Sequence, residues 1–223
     1  MTGGHACICV MNVDETDVLQ LTAGHFDINV SWHPSGNALL FNRLKAANSD
    51  DAAIMTLALD DRAAVMVSSR VSGWFASARW KPDGSAIAIA TNAFGPPMEV
   101  ALMDPLSGSL TRVTCTANGV SGGHMDWSPD GERILFSAFR SGKADTYVID
   151  ATGENETRLT NDAERIQSGA SWSPKGTNVV FHSTPMGEFD EVIMESELFV
   201  MDADGRNIRQ LTSSPHSNAH PDW

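Results

Sequence analysis

Apolar residues in this chain come in short runs with no helical stripe. Leu39 and Phe41, Ile87 and Ile89, Ile134 and Phe136, and Val179 and Phe181 stand three and five residues past a recurring glycine, with Leu40, Ala88, Leu135 or Val180 between them. Runs this short that are apolar at every position read as strands buried on both faces. A second set runs from Ile8-Cys9-Val10-Met11-Asn12 to Leu21-Thr22, from Ala101-Leu102-Met103-Asp104 to Val113-Thr114, from Tyr147-Val148-Ile149-Asp150 to Leu159-Thr160, and from Phe199-Val200-Met201-Asp202 to Leu211-Thr212. The Asp or Asn precedes the Thr by ten residues each time, and turn-forming residues such as Ala151-Thr152-Gly153 and Asp202-Ala203-Asp204-Gly205 lie between, so each pair predicts a hairpin.

Ahead of each two-faced run lies a compound motif: Ser31-Trp32-His33-Pro34-Ser35-Gly36, Arg79-Trp80-Lys81-Pro82-Asp83-Gly84, Asp126-Trp127-Ser128-Pro129-Asp130-Gly131 and Ser171-Trp172-Ser173-Pro174-Lys175-Gly176. Pro presets φ at the second turn position, Asp accepts local backbone hydrogen bonds and Gly takes the left-handed conformation, so the motif predicts a tight hairpin between a first and a second strand. A fifth copy starts at Pro221-Asp222-Trp223. The tryptophans are spaced 48, 47, 45 and 51 residues apart, the length of one four-stranded propeller blade.

The fold class is therefore all-β, a β-propeller of four-stranded antiparallel blades with about four and a half blades present. The chain reads as one domain, 1–223, divided into an outer half-blade over 1–24, blades over 25–70, 71–116, 117–162 and 163–214, and the first strand of a further blade over 215–223. The blade of Trp32 diverges, with Ala58 at the expected Asp and Val67-Ser68 at the expected Leu-Thr. The shared blade at the two ends would lack its second strand, which suggests a fragment of a six-bladed or larger ring. A strained five-bladed ring, or self-association of two copies through the incomplete blade, are the alternatives.

The Trp-Ser-Pro-Asp-Gly hairpin, apolar strand, Val-Met-Asp strand and Gln-Leu-Thr close resemble the TolB-type propeller repeat, most fully over Asp126–Thr160 and Ser171–Thr212. The resemblance covers nearly the whole chain. It implies the propeller fold and several functions, since the repeat serves the TolB component of the Tol–Pal envelope system, the gating propellers of prolyl-oligopeptidase-like peptidases and oligogalacturonate-lyase-like proteins.

A net charge of −13 opposes binding to phosphodiester backbones and anionic lipid heads, so no nucleic-acid partner is expected. No apolar run reaches the ~20 residues of a membrane span, and Met1-Thr2-Gly3-Gly4-His5 has neither the basic n-region nor the apolar h-region expected of a signal peptide. The chain as written is expected in the cytoplasm, or in the periplasm if an upstream segment precedes it. Cys7, Cys9 and Cys115 fit no disulfide framework or zinc spacing and are expected to be buried reduced thiols.

Candidate sites are the residues that break the repeat columns. Three positions before each Trp stand Asn29, Ser77, His124, Gly169 and His220, and one position before it Ser31, Arg79, Asp126, Ser171 and Asp222. First strands of a propeller are innermost, which places these polar columns near the central channel. His124 with Asp126, and His220 with Asp222, put imidazole and carboxylate on one strand face, while His25 and His216 share the position seven before the Trp. Imidazole with carboxylate suits a divalent metal. Hydrogen-bonded loop and channel residues are the plainer reading.

Three other features carry less. Gly119-Val120-Ser121-Gly122-Gly123 has the spacing of a nucleophile elbow but lies between strands, and Asp202-x-Asp204-Gly205 lacks the remaining calcium ligands and reads as a hairpin turn. The last blade carries an extra loop at 185–195, in which Met186, Phe189, Asp190, Glu191 and Ile193 mix apolar and acidic groups as contact surfaces do. The Trp column is expected to be core packing.

The reading is a non-catalytic propeller that binds a protein or peptide partner through the channel mouth (His25, Arg79, His124, Asp126, His216, His220, Asp222) or the 185–195 loop. No cofactor is expected, a divalent metal being the alternative. The competing class is an enzyme propeller, either with a metal-assisted oligogalacturonate-lyase-like polysaccharide site or gating a prolyl-oligopeptidase-like peptidase.

Overall fold

In the computed structural model the described residues are 6–44, 52–68, 75–116, 119–120, 124–140, 142–186, 195–214, 217–219 and 221–223. Strands β1 (Cys9–Val10) and β2 (Leu19–Gln20) form a two-stranded sheet. Four four-stranded sheets follow: β3 (Phe26–Trp32), β4 (Ala38–Leu44), β5 (Ala52–Ala58) and β6 (Ala64–Met66); β7 (Phe75–Trp80), β8 (Ile87–Thr91), β9 (Glu99–Met103) and β10 (Leu110–Arg112); β11 (Met125–Trp127), β12 (Arg133–Arg140), β13 (Lys143–Asp150) and β14 (Thr157–Arg158); β15 (Arg165–Trp172), β16 (Asn178–Pro185), β17 (Glu197–Asp202) and β18 (Arg209–Gln210). All pairings are antiparallel between chain neighbours. The first strands β3, β7, β11 and β15 adjoin one another, which makes them the inner edge of a blade array. Among the described residues no helix is long and apolar enough to cross a membrane.

The Trp-x-Pro-x-Gly motif closes each first hairpin as its residues dictate. The carbonyls of His33, Lys81, Ser128 and Ser173 accept from the N–H of Gly36, Gly84, Gly131 and Gly176 at 2.8–2.9 Å. Those glycines sit at φ +67 to +74°, where a Cβ would be strained. This fixes the register: Trp32, Trp80, Trp127 and Trp172 lie opposite Leu39, Ile87, Ile134 and Val179.

The second strand is buried on both faces because each face meets a different blade. Leu39 and Phe41 pack with Ile8 of the two-stranded sheet, whereas Leu40 packs with Ile87 and Ile89 of the next blade. In the same way Ala88 meets Ile134 and Phe136, and Leu135 meets Val179 and Phe181. Each such large side chain contributes roughly 1.5–3 kcal/mol by leaving water, so the array is held blade to blade.

The closing Thr works as a lock on the third strand. Thr22, Thr114, Thr160 and Thr212 accept the N–H of Ile8, Val100, Thr146 and Leu198 at 2.9–3.0 Å. In the divergent blade Ser68 does the same for Ile54 at 3.0 Å, so hydroxyl chemistry survives there although the motif does not.

Two expectations need correction. Trp127 and Trp172 are core residues and Trp80 is half-buried, but Trp32 and Trp223 are 53% and 54% exposed. The tryptophan packs toward the inner strand of the preceding blade: Trp127 Nε1 donates to the Arg79 carbonyl at 3.2 Å, Trp223 Nε1 to the Ser171 carbonyl at 3.1 Å, and Trp80 meets the His33 ring edge-on at 4.6 Å. Burial of an indole therefore depends on neighbours on both sides. The cysteines are exposed as well. Ile8, just ahead of β1, is buried against Leu39 and Phe41 while Cys7 and Cys9 on either side of it are exposed, and Cys115 follows the buried Thr114 into a loop.

Candidate functional site

The column three before the Trp proves to be partly a backbone feature. Bulges interrupt the first hairpin between Ile28 and Ser31, Ala76 and Arg79, and Ser168 and Ser171. At each one the column residue is left-handed, Asn29 at φ 55°, Ser77 at 50° and Gly169 at 62°. Gly169 is also required by space, since a Cβ there would lie 2.5 Å from His182 Nδ1. Small polar residues and glycine are selected there by conformation.

His124 departs from that pattern and reaches across blades. Arg79 Nη2 lies 3.0 Å from His124 Nε2, while Arg79 Nη1 donates to the Ala78 carbonyl at 3.0 Å. A guanidinium has no acceptor, so the imidazole nitrogen facing it accepts.

The column one before the Trp builds the rest. Asp126 Oδ1 accepts the Trp127 N–H at 2.9 Å, and its Oδ2 accepts the Trp172 N–H at 2.7 Å and the Ser171 hydroxyl at 3.0 Å. The same hydroxyl lies 3.2 Å from Asp222 Oδ1, which accepts the Trp223 N–H at 2.9 Å. Three blades and the segment beyond β18 are thereby joined through Arg79, His124, Asp126, Ser171 and Asp222. One hydroxyl proton serves only one of the two carboxylates at a time.

Burial raises the Asp126 carboxyl above its usual value, opposed by the Trp172 N–H, the Ser171 hydroxyl and the charge of Arg79. Burial likewise lowers Arg79, opposed by the charges of Asp126 and Asp222. The cluster is a half-buried patch of mixed charge on the inner strands, suited to directional contacts with a polar ligand.

The other predicted residues fall elsewhere. His25 is exposed in the bend before β3 and takes no part in this network. His216 and His220 lie outside the described residues, as do Phe189, Asp190, Glu191 and Ile193 of the 185–195 loop, and Ser121. Met186 is exposed and its N–H donates to the Glu164 carbonyl at 2.7 Å. Among the described residues no three His, Cys, Asp or Glu side chains are grouped to hold a metal ion. The segment from Asp202 is a hairpin turn, with the Gly205 N–H on the Asp202 carbonyl at 2.9 Å.

Sequence reasoning missed Ser171 as the bridge, and it missed a column of buried acids. Glu99, Asp145 and Glu197 begin or nearly begin the third strand, bond the hydroxyl of Thr114, Thr160 or Thr212, and are backed by Arg112, by Lys143 with Arg158, and by Asn218 respectively. The signal was available: each acid precedes its Thr by 15 residues.

Known proteins share this architecture. The chain is 31% identical over 97 residues to the Tol-Pal system protein TolB of Anaeromyxobacter dehalogenans, covering 44% of this chain and 20% of that one. It superimposes on the crystal structure of TolB from Acinetobacter baumannii with a TM-score of 0.75 at 16% identity, over 96% of this chain and 50% of that one. It matches oligogalacturonate lyase in complex with manganese with a TM-score of 0.64 at 17% identity, over 95% of this chain and 60% of that one. The chain spans less than half the length of the curated relatives it matches. The profile of the TolB beta propeller domain matches residues 48–195. With that match laid over the repeated Trp-x-Pro-x-Gly hairpins and closing Thr locks, the chain belongs to the TolB β-propeller family.

Proposed function

We propose that this chain is a non-catalytic binding propeller that takes a protein or peptide partner at the inner-strand cluster. The observation that carries the reading is the convergence of Arg79, His124, Asp126 and Asp222 from successive blades onto one half-buried patch. Ser171 and the tryptophan N–H groups hold the two carboxylates in place, so the charges are pre-ordered before a partner arrives, which lowers the entropy cost of binding. Similarity to a Tol-Pal system protein supports a partner-binding role.

Panning a random-peptide library against the whole chain tests it. Binders are expected to lose about tenfold or more in affinity, ~1.4 kcal/mol, with Arg79→Ala or Asp222→Ala while the unfolding midpoint stays within a few degrees. A library whose binders ignore both substitutions would refute the assignment of the site.

A further inference from the structure

We infer that the Arg79–His124 contact is a proton-operated latch between the blades of Trp80 and Trp127, closed while the imidazole is neutral and opened when it takes up a proton. The inference concerns the same cluster as the proposed function and supplies its regulation, but the latch exists in the free chain and is tested there.

The argument is one of hydrogen-bond chemistry. Arg79 Nη2 is 3.0 Å from His124 Nε2. Guanidinium nitrogens only donate, so Nε2 must carry its lone pair and the ring proton resides on Nδ1. Protonation places a hydrogen on Nε2, leaving two donors and two positive charges face to face across that distance. Imidazole is the side chain whose ordinary pKa, about 6.5, puts this change in the physiological range.

Two carboxylates act on the guanidinium from nearby. Asp126, in β11, lies two residues beyond His124, which precedes that strand, and is the carboxylate nearest to it in sequence. Asp222, bridged to Asp126 through Ser171, adds negative charge from the segment beyond β18, and both acids act on Arg79 through space. His220 lies outside the described residues. Among the described residues the charged members of the cluster are Arg79 from β7, Asp126 from β11 and Asp222 beyond β18, with the Ser171 hydroxyl from β15 between the acids.

The latch can open without parting the blades. Trp127 Nε1 donates to the Arg79 main-chain carbonyl at 3.2 Å, and Met125 and Trp127 are buried in the inter-blade core with Ala76, Ala88 and Ala90. Protonation therefore moves two side chains at the patch and leaves the scaffold in place. A partner that prefers a free guanidinium would bind better below the His124 midpoint, and one that needs the closed pair above it.

The experiment is a titration of the free chain by nuclear magnetic resonance from pH 8 to 5, following His124 Hε1, assigned with His124→Gln. Removing the guanidinium in Arg79→Met is expected to raise the His124 pKa by about one unit, whereas Asp126→Asn is expected to lower it. In the unmodified chain the guanidinium protons of Arg79, slowed in exchange by the contact, are expected to broaden away with the same midpoint as His124, a readout that needs no variant. A His124 pKa unchanged by Arg79→Met, or Arg79 signals indifferent to the titration, would overturn the latch. Failure to find any peptide binder would overturn the proposed function and leave this result standing.

Discussion

Substituting Gly153 by Ala tests how tightly the blades are fitted. Gly153 ends the turn of the outer hairpin of the Trp127 blade, with its N–H on the Asp150 carbonyl at 2.8 Å and φ at +89°. A Cβ there would lie 2.6 Å from the carbonyl oxygen of Val113 in the preceding blade, a main-chain atom that cannot swing aside. Gly108 and Gly205 meet Val67 and Leu159 in the same way, each at 2.8 Å, so the contact is a repeated feature of the blade boundary. The left-handed conformation alone costs a non-glycine residue about 1–2 kcal/mol, and forcing an extra carbon into a packed boundary adds about 1–3 kcal/mol. Gly142 in the same sheet isolates the first cost, having φ at +85° and nothing within 4 Å of its virtual Cβ. Urea unfolding followed by tryptophan fluorescence should therefore place Gly142→Ala about 1–2 kcal/mol below the parent chain, and Gly153→Ala about 2–5 kcal/mol below it. Equal losses within ~0.5 kcal/mol would refute the claim that this boundary is rigid.

Other substitutions probe the remaining devices. Thr160→Val removes the acceptor for the Thr146 N–H and a hydroxyl held by Asp145, and should cost about 1–3 kcal/mol in the same assay, with Thr160→Ser retaining most of the stability. Arg43→Met leaves Asp27, whose side chain is fully buried, without its bidentate partner at 2.7 and 2.8 Å, and should cost about 3–5 kcal/mol near neutral pH, a loss relieved when Asp27→Asn is added. The Glu197 carboxyl is lowered from its usual 4.5, chiefly by the Thr212 hydroxyl and then by the Ser214 N–H. Because its folded value lies below its unfolded one, its contribution is present above pH 4.5 and lost as pH falls through the lowered value. Acid titration of stability should thus be flatter below pH 4.5 in Glu197→Gln than in the parent.

Much of the fold was legible because it is local and repeated. Pro and Gly at fixed offsets from each Trp set a hairpin through backbone preference alone, and the all-apolar strand after it announces two covered faces. The Thr that closes each blade stands ten residues past an Asp or Asn in four blades, and hydroxyl-to-amide bonding makes that spacing a structural requirement. The candidate site was legible only as columns. Arg79, His124, Asp126 and Asp222 stood out as departures from a repeat, yet nothing in the order of residues says which of them touch.

What the sequence by itself determined is the blade: its hairpins, its register and the faces it must bury, all consequences of φ preference and of apolar periodicity within some fifty residues. What only the tertiary structure decided is what happens between blades. Trp32 and Trp127 occupy the same motif position, but one is 53% exposed and the other 5%, because an indole is covered by strands far away in sequence. The column at Asn29, Ser77 and Gly169 looks like a polar channel lining and is in part a row of left-handed bulges. Asp126, Ser171 and Asp222 become one network because packing brings residues 45 and 51 positions apart within 3.0 and 3.2 Å, a distance set by how blades stack and invisible to any pattern along a single strand.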